Sequence, residues 1–139
     1  MLALVERGGR LRAVPITKVT SSNLRRHIRT HVDTKSAHLM TEDYRSYWQI
    51  GHQDFAGRHS IIRHADGVYS IGDVTTNTAE SFFALLKRGV HGIFHHISRR
   101  HLRRYCNEFS FRWDYRKVSD GTRMVAAIMG AEGKRLTYK

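Results

Sequence analysis

Thr75-Thr76-Asn77-Thr78-Ala79-Glu80-Ser81-Phe82-Phe83-Ala84-Leu85-Leu86-Lys87-Arg88-Gly89 reads as a helix with a polar mouth. Ala79, Phe82, Phe83, Leu86 and Val90 recur at helical spacing and form one apolar stripe. Asn77 and Glu80 lie three apart, so their side chains are neighbours on the first turn. Lys87 and Arg88 suit the negative end of the helix dipole, and Gly89 reads as its stop. Two readings of the Asn77/Glu80 pair stay open. One is a capping box with Asn in place of Ser or Thr. In the other, Glu80 is a metal-binding carboxylate with Asn77 beside it.

Downstream, His91 to His96 reads as a glycine-hinged connector, and Ser98 as the cap of a further helix. Leu102, Tyr105, Cys106, Phe109 and Trp113 line its apolar face, with Arg99, Arg100, Arg103 and Arg104 on the opposite side. Together with Lys87 and Arg88 they form a one-sign surface of the kind that contacts phosphates, although a solvated face would look similar. A short helix from Met124 to Met129 and a basic tail follow.

Upstream, Met1 to Ile16 reads as a hairpin turning at Gly8-Gly9. Thr20-Ser21-Ser22 offers caps for a helix with Leu24, Ile28 and Val32 inside and Arg25, Arg26 and Arg29 outside. His27 and His31 have metal spacing but no third ligand, and read as surface residues. Ser36 to Met40 reads as a strand. Thr41 then caps a helix whose first turn holds Glu42 and Asp43. A pair of acids favouring a helix start explains them as well as metal binding does. Ile50 to Asp73 reads as loop-rich, with short Ile61-Ile62 and Val68-Tyr69 runs.

Composition limits the classes. The 139 residues fit one domain with a real core, and 40% hydrophobic residues argue against disorder. No apolar run approaches membrane-spanning length, and a single cysteine, Cys106, excludes an internal disulfide. Twenty-four Lys and Arg against 12 Asp and Glu give a net charge of +12, which points to a polyanion partner.

The run from Gly72 to Gly92 resembles the C-terminal catalytic motif of IS1595-type insertion-sequence transposases, the ISXO2-like transposase domain. The likeness continues through His101-Leu102-Arg103-Arg104-Tyr105, Glu108-Phe109-Ser110-Phe111-Arg112, Val5-Glu6-Arg7-Gly8-Gly9 and Gly133-Lys134-Arg135-Leu136-Thr137-Tyr138. It covers nearly the whole chain as one partial domain, residues 1–139.

The resemblance implies an α/β, RNase H-like mixed sheet flanked by helices. It implies a DDE site in which three acids hold Mg2+ or Mn2+ to cut and join DNA. Glu80 matches the third acid. Glu42 or Asp43 stands for the second, in swapped order. The first is expected on a central strand upstream of Val5, so the chain reads as a truncated copy, inactive alone. The implied partners are double-stranded DNA, both transposon ends and target, and a homo-oligomer or an intact transposase, with no membrane. The implied place is the bacterial cytoplasm, at the nucleoid. A non-catalytic DNA-binding fragment that inhibits intact transposase is the alternative.

Overall fold

The computed structural model describes residues 1–67 and 70–134. The Val68-Tyr69 run and the basic tail from Arg135 lie outside the described residues. The fold is α/β: three two-stranded sheets and five α-helices, with no closed barrel among the described residues.

Strands β1 (Leu2–Val5) and β2 (Leu11–Val14) form the expected antiparallel hairpin. Gly8 supplies the positive φ, 70°, that its turn requires. Helix α1 (Ser21–His31) starts at Thr20, whose side chain accepts from the Asn23 amide, and buries Leu24 and Ile28. Strand β3 (Leu39–Glu42) is followed by helix α2 (Arg45–Asp54) and strand β4 (His59–Ile62), so the segment expected to be loop-rich from Ile50 instead holds the end of α2 and a strand. β3 and β4 pair in parallel, so α2 is a crossover helix between them. The hairpin of β5 (Ser70–Ile71) and β6 (Val74–Thr75) leads into α3 (Asn77–Gly89). A π-helical turn (Val90–Phe94), α4 (Leu102–Asp114) and α5 (Asp120–Ala131) complete the chain.

The β1–β2 hairpin is the shared layer of two cores. On one face Leu2 and Leu4 pack with Leu24, Ile28, Ile50 and Phe55 of the α1–α2 unit. On the other, Ala3, Val5, Leu11 and Ala13 pack with Phe82, Cys106, Phe109 and Trp113 of α3 and α4. Strand alternation therefore assigns each side chain of β1 to one helical layer or the other. Burial pushes the Cys106 thiol above its ordinary pKa, which fits a packing role.

The two edges of the hairpin differ. On the β2 side, the Leu11 and Ala13 amides donate to Asp114 Oδ1 (2.8 Å) and Ser110 Oγ (3.1 Å) of α4. Those residues point away from β1, so Arg12 and Val14 pair with Leu4 and Leu2. Ala3 and Val5 then present their backbone groups at the opposite edge, where no strand pairs with them among the described residues. β3 lies on that side: Leu39 shares the α1–α2 core with Leu2, and Arg7 reaches Met40 Sδ (3.0 Å) and the Asp73 carbonyl. The Leu39 amide bonds Arg58 O of the β4 side (2.8 Å), so Met40, one residue on, turns its backbone away from β4.

Several local expectations are corrected. The strand expected at Ser36–Met40 is displaced to Leu39–Glu42, because Asp33 captures the Lys35 amide and the Ser36 hydroxyl in a turn. α3 ends at Gly89 as expected, but not through a left-handed glycine stop. Gly89 is helical (φ −61°) and buried, and a Cβ there would stand 2.5 Å from Phe109 Cζ. It is a point of close approach between α3 and α4, and the helix widens into the π turn beyond it. Gly89→Ala is expected to destabilise the fold by about 1–3 kcal/mol through overpacking. Urea denaturation checks this, and an unchanged midpoint would contradict the contact. The last helix is also longer than the Met124–Met129 segment expected: Ser119 caps it by accepting from the Thr122 amide.

Candidate functional site

The acids of the site come from two junctions. At the first, Thr41 does not cap a helix. It is a buried residue of β3 whose Oγ1 lies 2.9 Å from His59 Nε2 on β4. Glu42 is the last residue of β3, opposite Ile62, and α2 begins only at Arg45 with Tyr44 as an N-cap whose side chain makes no capping bond, its hydroxyl donating instead to the Val19 carbonyl (3.3 Å). Glu42 and Asp43 are therefore not on a helical first turn; they sit at the end of a strand and in the bend after it. Asp43 uses both oxygens: Trp48 Nε1 donates to Oδ1 (3.0 Å), and Arg63 Nε pairs with Oδ2 (3.1 Å).

Burial, and then the charge of nearby His38, hold the His59 imidazole below its ordinary pKa of 6.5. Gly51 of α2 lies directly against this ring and leaves no room for a Cβ. As pH falls, the unfolded chain takes up this proton before the folded one. The stability that neutral His59 contributes is thus complete above about pH 6.5 and lost as pH falls below it, levelling off under the depressed folded value. Thermal unfolding between pH 7.5 and 5 should show this slope, and His59→Gln should flatten it.

At the second junction, Asn77 is not the cap of α3. Thr76 is the N-cap residue and Asn77 the first helical residue, its amide donating to Thr75 Oγ1 (3.1 Å). Thr76 Oγ1 donates to Glu80 Oε1 (2.9 Å), so the hydroxyl that could have capped the helix amides is turned to the carboxylate instead. The Thr76 side chain therefore makes no capping bond to the helix amides. Among the described residues no three His, Cys, Asp or Glu side chains gather closely enough to hold a metal ion. Glu42, Asp43 and Glu80 as placed do not fit a metal-holding set. His27 and His31 belong to no such group either.

The cations are arranged differently from the single helical face that spacing suggests. α4 starts at Leu102, so Arg99 and Arg100 lie in the turn before it and Arg103 and Arg104 on its first turn. Ser98 Oγ still accepts the His101 amide (3.4 Å), but it closes that turn rather than capping the helix. All four arginines are exposed, as are Lys87 and Arg88 at the end of α3. Cations at a helix N-terminus oppose its dipole, and the same free amides attract anions. Four arginines there are electrostatically unfavourable unless an anion is bound. By contrast, Arg25 and Arg29 of α1 pair with Asp54, whose side chain is 1% exposed, and hold α1 to α2.

Position along the chain now decides kinship. The model of the ISXO2-like transposase domain, DDE_Tnp_IS1595, matches residues 1–114 of the 139. The chain belongs to this transposase family. No curated protein and no solved structure matches it. The matched span thus covers both cores and reaches Asp114, the residue that covers the β2 edge; α5 lies beyond it. Membership ties the chain to DNA transposition. Among its described residues no helix is long and apolar enough to cross a membrane. The spacing of the acids in sequence did not reveal the Asp43–Trp48–Arg63 or Thr41–His59 contacts, since both depend on the β3–α2–β4 crossover.

Proposed function

We propose that this chain is the DNA-binding part of a DDE-type transposase catalytic domain, one RNase H-like unit over residues 1–139, which does not cut or join DNA by itself. The observation that carries the reading is the cationic cluster at the start of α4, unpaired with any acid among the described residues, in a chain of this family. Double-stranded DNA is the partner, held at phosphates by Arg99, Arg100, Arg103 and Arg104 with Lys87 and Arg88.

Glu80, Glu42 and Asp43, with Asn77 beside Glu80, are the proposed catalytic side. Two-metal strand transfer needs carboxylates that hold ions about 3.5–4 Å apart. Asp43 is committed to Trp48 and Arg63, and among the described residues the three acids do not gather as one set, so Mg2+ or Mn2+ would require a further acid beyond these. The edges of β1 and β3 that no strand pairs among the described residues favour a second reading alongside this one: association with another copy or an intact transposase, in which this chain acts as an inhibitor.

The test is incubation of the chain with end-containing DNA in Mg2+ or Mn2+. No cleavage is expected, and Glu80→Gln should leave duplex binding unchanged. Metal-dependent cleavage by the unaltered chain, lost in Glu80→Gln, would overturn the proposal and show that these acids do assemble.

A further inference from the structure

Two large aromatic side chains stand exposed beside the acid junction. Trp48 of α2 is 47% exposed and Tyr44, its N-cap residue, 45%. With Ser21, Arg45, Ser46 and Gln49 they line an open depression of about 680 Å³. The indole is not loose: its Nε1 is held by Asp43 Oδ1, and Asp43 is held in turn by Arg63. Tyr44 is buttressed edge-on by Tyr47, ring centroids 6.1 Å apart. Isolated exposed aromatics need no explanation, but an orientation fixed by a hydrogen bond removes the entropy cost of ordering a ring on binding.

We infer that Trp48, with Tyr44, is a stacking platform for an unpaired nucleobase of the DNA substrate, with Arg45 on the rim meeting the adjoining phosphate. The inference rests on the reading that DNA is the partner. The chemistry selects the ligand class. A fixed indole face next to guanidinium groups suits a flat, uncharged ring carried on an anionic backbone. In an intact duplex every base face is already stacked, so a surface indole engages only a base that is single-stranded or extruded. The platform is separate from the duplex-phosphate cluster on α4. It adjoins Glu42 and Asp43, so a base seated there places its strand at the acid junction. Asp43 acts here as a positioning residue for the indole.

The protein has two indoles, and the other, Trp113, is 7% exposed in the core, so changes in emission report mainly on Trp48. The experiment titrates the full chain with a twelve-residue oligothymidylate and, separately, with a hairpin duplex of similar charge, following tryptophan emission and the anisotropy of labelled DNA. The single strand should quench and the duplex should not. Trp48→Ala should abolish the quenching and weaken single-strand binding by about tenfold, with duplex affinity unchanged. Trp48→Phe should retain most of the single-strand affinity, which separates stacking from a general loss of fold. Asp43→Asn should weaken single-strand binding less than Trp48→Ala does. Unquenched emission at saturating oligothymidylate, or equal single-strand affinity in Trp48→Ala and wild type, would overturn the inference. Failure of duplex binding with quenching intact would instead fault the α4 assignment alone.

Discussion

Replacing Arg99, Arg100, Arg103 and Arg104 together with alanine is expected to weaken binding of double-stranded DNA by about a hundredfold or more at low salt. Each phosphate neutralised by a cation releases condensed counterions, so affinity falls with salt at a slope of about 0.9 per contact. Loss of four contacts should reduce that slope by between three and four, roughly. None of the four makes an ion pair among the described residues, unlike Arg112, which is held by Glu108. Their removal therefore leaves the fold's own contacts in place. It also relieves like charge at the positive end of α4, so the variant should unfold at the same temperature or slightly higher. Anisotropy titrations from 50 to 200 mM salt, paired with thermal melts, measure both. An unchanged slope would show that the cluster is only a solvated face.

The largest loss of stability is expected from Phe82→Ala, at about 3–5 kcal/mol. Phe82 is fully buried and meets two rings edge-on: Phe83 at 5.5 Å and Trp113 at 5.9 Å between centroids. It joins the central helix to α4 and to the hairpin strand that carries Leu11 and Ala13. The loss includes the transfer free energy of the ring and the cavity left among neighbours from three elements, which cannot all move in to fill it. Against a total of about 5–15 kcal/mol for a domain, this is enough to leave a large unfolded fraction. Phe82→Leu should recover more than half. Urea unfolding gives the values, and a loss below about 1 kcal/mol would contradict the packing described.

What the residues disclose and what they conceal divide along physical lines. The hairpin, α1, the stripe of α3 and the apolar face of α4 are local patterns, and periodicity alone places Leu24, Ile28, Phe82, Cys106, Phe109 and Trp113 inside. The segment after Ile50 misleads because its glycines look like breaks. Gly51 is instead a helical residue whose missing side chain makes room for His59, a partner eight residues later on the next strand. Gly89 does end α3, but its close approach to Phe109 is hidden in the same way. Thr41 looks like a cap because the type suits one, but a parallel neighbour strand draws it into the sheet and gives its hydroxyl to His59. The acid pair Glu42-Asp43 is visible as a pair, yet its geometry depends on a strand end rather than a helix start. Glu42 closes the strand, whereas Asp43 lies in the bend beyond it and is oriented by Trp48 and Arg63.

The hairpin's place between two cores has a consequence for the growing chain. The inner partners on one face, Leu24, Ile28, Ile50 and Phe55, follow within the first 55 residues. Those on the other face are Phe82, Cys106, Phe109 and Trp113, and the bonds closing the β2 edge reach 97 and 103 residues along the sequence. At about 5–20 residues per second, the ribosome needs roughly 5–20 s to carry synthesis from β2 to the end of α4. For that interval Leu11 and Ala13 have no cover from α4. The early half can condense first, but its second face and β2 edge wait for the late helices, so the slow closing of this long loop governs when the domain becomes whole.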